Sequence, residues 1–145
     1  KDLGTLQGMP LELLNLYETD VQDLSPLRGM PLKFLWLNGT KVADLSPVAQ
    51  CPLISLTLHK TPVRDLSPLA GSKTLRRLHI AESDVTDLTP LKTMQLERLI
   101  FTPAKITKGM DIARNMKSIR EIGVTLKGKM SPGQFWALYD QGKFR

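Results

Sequence analysis

The chain repeats itself every 21 or 22 residues, and that period constrains its fold more than any other feature. Asp-Leu-Ser-Pro recurs at Asp23, Asp44 and Asp65, and as Asp-Leu-Thr-Pro at Asp87, in steps of 21, 21 and 22 residues. A degenerate copy begins at Asp2, 21 residues before Asp23. Behind each copy lies a Leu-x-x-Leu-x-Leu-x-x-Thr frame. It reads Leu11/Leu14/Leu16/Thr19, Leu32/Leu35/Leu37/Thr40, Leu53/Leu56/Leu58/Thr61, Leu75/Leu78/Ile80/Ser83 and Leu96/Leu99/Phe101/Ala104, then more weakly Ile119/Ile122/Val124. Units of this kind cannot bury their apolar faces alone, so stacking must make the core. Alternation through Leu14-Asn15-Leu16 is that of a strand with one buried face. A 21-residue unit has no room for a long helix on its return path. A single 3₁₀ or α turn is expected at Ser25-Pro26, Ser46-Pro47, Ser67-Pro68 and Thr89-Pro90, where the hydroxyl can cap orphan amides and proline has the right φ and no amide to lose.

The frame resembles the leucine-rich-repeat family over about residues 2–126, and its short period with the Asp-Leu-Ser-Pro-Leu step is most similar to the bacterial, internalin-like subclass. The resemblance implies an α/β fold: a right-handed solenoid with a parallel sheet on its concave side and short 3₁₀ or α turns on its convex side. It also implies a non-enzymatic surface that holds a protein or peptide. Thr or Ser stands where the family usually has Asn, so a ladder of hydroxyls bonding loop backbone is expected.

The repeat array is expected over residues 1–126 and a C-terminal cap over 127–145. Residues 108–118 lack the Ser-Pro step, and Ile112, Met116 and Ile119 predict a slightly longer helix there. Ser131-Pro132 is a helix start, Phe135, Leu138 and Tyr139 form an i, i+3, i+4 stripe flanked by Trp136, and Gly142 is a stop. This helix is expected as a lid over the open apolar end, with docking of a second domain as the alternative. Its Phe-Trp-x-x-Tyr-Asp-x-Gly ending is also similar to arrays attached to bacterial serine/threonine kinase-like proteins. The chain opens almost directly on a repeat, so a longer parent chain or self-association through the N-terminal end is expected.

The repeat alignment assigns roles to residues that look reactive in isolation. Cys51 occupies the slot of Met9, Met30 and Met94 and reads as a small core hydrophobe, since thiolate chemistry needs an accessible, electropositive site. Asp2, Asp23, Asp44, Asp65 and Asp87 form a column one rung apart, read as turn aspartates that accept from backbone amides. A calcium ladder would need further converging carboxylates, and Lys108 stands in the sixth slot.

Alternation puts three columns on the concave sheet. The first is Leu13, Phe34, Ser55, Arg77, Arg98, Glu121. The second is Asn15, Trp36, Thr57, His79, Ile100, Gly123. The third is Tyr17, Asn38, His59, Ala81, Thr102, Thr125. Exposed aromatics clustered on a sheet have the makings of an interface hot spot. The candidate partner-binding residues are therefore Leu13, Tyr17, Phe34, Trp36 and Asn38, continued by a polar, mildly basic strip of His59, Arg77, His79 and Arg98. No catalytic set, cofactor or metal site is expected. There is no glycine-rich phosphate loop, no paired-carboxylate pocket and no nucleophile beside a base. His59 and His79 lie near each other without an acidic concave neighbour, which argues against a metal.

The net charge of +6 makes a nucleic acid or anionic surface the alternative partner, with a structural spacer as a further alternative. Residues 1–104 carry 11 basic and 11 acidic residues, whereas residues 105–145 carry 9 and 3. The excess thus sits at the C-terminal end, and few aromatics interleave with it before Phe135. The single cysteine excludes an internal disulfide, and no run reaches the ~18–20 apolar residues of a membrane span.

Overall fold

The computed structural model describes residues 2–145. Each repeat contributes one three-residue strand: β1 (Leu13–Asn15), β2 (Phe34–Trp36), β3 (Ser55–Thr57), β4 (Arg77–His79), β5 (Arg98–Ile100) and β6 (Glu121–Gly123). They form one parallel sheet in chain order. The register follows the repeat, so Leu14, Leu35, Leu56, Leu78, Leu99 and Ile122 stand side by side. Strands this short have no stability of their own, and the ladder extends past them. Leu16, Leu37, Leu58, Ile80 and Phe101 donate their amides to Trp36, Thr57, His79, Ile100 and Gly123 at 2.7–3.0 Å. The architecture is the expected leucine-rich-repeat solenoid.

The Ser/Thr-Pro 3₁₀ turns lie at Ser25–Leu27, Ser46–Val48, Ser67–Leu69 and Thr89–Leu91, with a proline-free counterpart at Gly4–Leu6 and a further 3₁₀ turn at Pro103–Lys105. The exit from each of the first five depends on a single residue. Where glycine is available, at Gly8, Gly29 and Gly71, the preceding residue has ψ near 130° and the glycine takes φ of 77–82°, a type II turn. Where Gln50 or Thr93 stands instead, Ala49 and Lys92 stay in the right-handed helical region with ψ of −31° and −41°, a type I turn. Either form closes the same i→i+3 hydrogen bond, so the rungs remain superposable.

The aspartate column works within its own turns. Asp2, Asp23, Asp44, Asp65 and Asp87 each accept the amide two residues on, at 2.8–2.9 Å. Among the described residues no group of three or more His, Cys, Asp or Glu is gathered as a metal site. The hydroxyl ladder is also local: Thr19, Thr40 and Thr61 donate to the carbonyls of Leu16, Leu37 and Leu58 at 2.8 Å, and Ser83 to Ile80 at 2.6 Å. Cys51 is buried in the methionine column, and burial raises its thiol pKa, which keeps it neutral and inert. A Val21/Val42/Val63/Val85 column, not among the residues of the leucine frame, is also buried in the core.

The C-terminal end closes over this core. α1 (Met110–Asn115) replaces the Ser-Pro turn and begins at Gly109, whose φ of 87° and close backbone neighbours exclude a side chain. α2 (Pro132–Asp140) carries the reciprocal Ser131/Gln134 capping box and Pro132 in its first turn. Phe135 is fully buried with its ring centroid 5.7 Å from Phe101 and 4.8 Å from Phe144. The Arg114 guanidinium lies 4.7 Å above the Trp136 ring and pairs with Asp140, tying α1 to α2.

Amide and hydroxyl hydrogen bonds hold the carboxyls of Asp23, Asp44 and Asp87 below the usual 3.8. The unfolded chain therefore binds more protons than the native one in acid. The stability these groups add is present above about pH 4 and is lost as the pH falls through their native values. The triple Asp→Asn variant retains a side-chain acceptor at each turn. Urea unfolding at pH 6 and pH 3 is expected to show a smaller loss of midpoint for this variant than for the native chain; an equal loss would exclude this origin of acid sensitivity.

Candidate functional site

The outward side chains of the sheet and the turns beyond it enclose an open trough of about 530 Å³. It is lined by Leu13, Tyr17, Phe34, Trp36 and Asn38 at one end and by Arg77, His79 and Arg98 at the other. That volume falls within the ~300–1,000 Å³ typical of ligand clefts. Strand register explains the convergence: Leu13 stands beside Phe34, and Trp36 between Asn15 and Thr57. Leu13 is 49% exposed and Tyr17 58%, while Phe34 and Trp36 are half-buried against their neighbours. Eight of the nine residues expected from sequence thus line one cavity. His59 does not line it, but its ring stacks on His79 at 5.0 Å with an interplanar angle of 16°.

The second of the expected columns is not displayed along its whole length. Ile100 and Gly123 are buried, because the chain after β6 turns back and Met130 pairs with Ile122 in an antiparallel bridge. A Cβ at residue 123 would stand 2.8 Å from the Lys129 Cα, so only glycine admits this crossing. The returning turn carries Leu126, 46% exposed, as a wall of the trough. Leu126 lies outside the repeat frame, and no periodic signal marks it.

The basic strip is less basic than its residue types imply. Arg98 donates to Glu121 from Nε and a terminal nitrogen, both at 2.9 Å. Glu121 stands next to Arg98 in the same column. His59 pairs at 2.5 Å with Glu82, which sits at the left-handed position (φ 57°) that recurs once per rung at Glu18, Gly39 and Lys60. Burial is the main cause that lowers His79 to about 4, with the neighbouring His59 adding to it and Glu82 opposing. Among the described residues, Arg77 takes part in no ion pair. The Oδ1 of Asn38 and the Oγ1 of Thr57 are buried in the trough wall with no protein partner.

The fold has a counterpart among solved structures. Internalin C2 from Listeria monocytogenes superposes with a TM-score of 0.71 at 24% identity, over 78% of this chain and 51% of that one. The fold is therefore that of the leucine-rich-repeat solenoids, of the internalin kind, and the chain spans about half the length of that neighbour. No protein-family model and no curated protein matches the sequence. Among the described residues, no helix is long and apolar enough to cross a membrane.

Two measurements check this geometry. Gly123→Ala is expected to lower unfolding stability by ~1–3 kcal/mol, since Lys129 and Gly128 meet the new methyl with backbone. Gly133→Ala in α2, which meets nothing within 4 Å, should lower it not at all. In an NMR titration the His79 ring is expected to protonate near pH 4. Because its native value lies below the unfolded 6.5, the stability tied to its neutral form is complete above pH 6.5 and declines as the pH falls toward 4. A midpoint above 6 would show that His79 is not desolvated as described.

Proposed function

We propose that the chain is a non-enzymatic interaction module that holds a protein or peptide in the concave trough. The observation that carries this reading is the continuous apolar surface of Leu13, Tyr17, Phe34 and Trp36 at one end of the trough. Large aromatics presented from a rigid sheet give contact area with little side-chain entropy to lose, which is the character of interface hot spots. An open sheet also lacks the enclosure that catalysis uses, and the trough brings no nucleophile together with a base. The fold does not choose among recognition tasks by itself, so the reading rests on the site.

Three of the nine C-terminal cations are engaged within the fold, which reduces what an anionic surface would find there. Arg114 pairs with Asp140, Lys129 lies 4.0 Å from Glu121, and the Lys105 ammonium donates to the Ser83 carbonyl.

The test begins with affinity capture of partners from the source cells and their medium, then titration of the purified partner. Phe34→Ala and Trp36→Ala, each with its fold confirmed, are expected to weaken binding at least about tenfold, as truncated hot-spot aromatics do. A change away from the trough such as Lys73→Glu is expected to leave it unchanged. Unaltered affinity in both aromatic variants would place the site elsewhere, and capture of nothing would favour a spacer role.

A further inference from the structure

Building on that reading of the trough, we infer that Arg77 is a carboxylate subsite, and that the partner segment is an acidic peptide with an apolar anchor. Arg77 and Arg98 are direct cross-strand neighbours on one face of the sheet, and both are half-buried in the trough. Like charges in that position repel and do not serve the fold. One of the two is compensated: Glu121, on the next strand, holds Arg98. On the other flank of Arg77 stands Ser55, small and nearly buried, which leaves room beside the guanidinium and offers no charge. Of the acidic side chains near this end, Glu82 is in contact with His59, and Glu121 is shared between Arg98 and Lys129, the latter 4.0 Å away. Of the two arginines that line the trough, Arg77 is the one with no ion-pair partner among the described residues.

A carboxylate suits that position because it can accept two parallel hydrogen bonds from a guanidinium fork, which an ammonium donor cannot offer. The anchor follows from the same column. Phe34 stands two rungs from Arg77, on the order of 10 Å at strand spacing, the reach of about three extended residues. The partner segment therefore places a large apolar side chain over Leu13, Phe34 and Trp36 and an Asp or Glu side chain about three residues away on Arg77.

The probes are N-acetylated, C-amidated peptides with one tryptophan and, two, three or four residues later, Glu, Gln or Lys, in an otherwise Ser/Gly sequence. Binding is read by fluorescence anisotropy against the native chain and variants whose thermal unfolding is checked. At one spacing the Glu peptide is expected to bind at least about tenfold more tightly than the Gln peptide. Arg77→Gln should abolish that preference and leave the Gln peptide unaffected, while Arg77→Lys, which keeps charge but not the fork, should retain part of it. Phe34→Ala should weaken Glu and Gln peptides alike, and a free C-terminus should not replace the internal Glu. Equal Glu and Gln affinities at every spacing, survival of the preference in Arg77→Gln, or no saturable binding by about 1 mM each overturn the inference. Charge-indifferent binding that is lost in Phe34→Ala sinks the carboxylate subsite alone. A natural partner insensitive to Phe34→Ala and Trp36→Ala sinks the concave-face reading with it.

Discussion

Everything in this molecule depends on in-register stacking of one rung on the next. A three-residue strand and a one-turn return bury nothing by themselves. Leu35 and Leu56 are fully buried only because equivalent leucines lie on both sides of them. At the N-terminal end Leu14 has such a neighbour on one side only and is half-buried. A one-residue slip would turn every inward leucine onto the outer face, so the hydrophobic pattern itself enforces the register. Local devices serve that end. Each aspartate and each hydroxyl satisfies backbone in its own turn, and type I and type II turns are interchangeable because both deliver the chain to the same point.

The same stacking creates the need for a lid. The fifth rung has Phe101 where earlier rungs have leucine or isoleucine, and the larger ring meets Phe135 of α2. The cluster of Phe101, Phe135, Phe144, Trp136 and Tyr139 ends the core, with Arg114 and Asp140 clasping its outer side. Closing that end has a consequence on the opposite face. The segment joining β6 to α2 must cross Gly123, and in doing so it buries Ile100 and raises Leu126 as a wall. The segment that leads into α2 therefore also forms part of the trough.

Electrostatics set the two ends of the trough apart. At the aromatic end Leu13, Asn15, Tyr17, Phe34, Trp36 and Asn38 line the trough without an acidic or basic side chain among them. The other end contains two arginines, two stacked imidazoles and two acidic side chains; Glu121 pairs with Arg98 and Glu82 with His59, which leaves Arg77 without an ion-pair partner among the described residues. The low proton affinity of His79 means that at neutral pH it meets a ligand as a neutral ring between Thr57 and Ile100.

By itself the sequence determined the period, the inward leucines, the register, the turn positions and the identity of the concave columns, including eight residues that line the trough. These follow from spacing, which is a property of the chain. The Arg98–Glu121 pair belongs with them, because Glu121 comes directly after Arg98 in its column and the alignment already implies their contact. Tertiary structure alone decided which column positions reach solvent, where Leu126 lies and that Glu82 reaches His59. Those outcomes depend on a non-repeating segment folding back and on which side chain occupies the left-handed position that recurs once per rung at Glu18, Gly39, Lys60 and Glu82; the period gives that position but not what its side chain reaches. A repeat fixes which side chains face which way; what covers them is set by long-range contacts that the repeat does not encode.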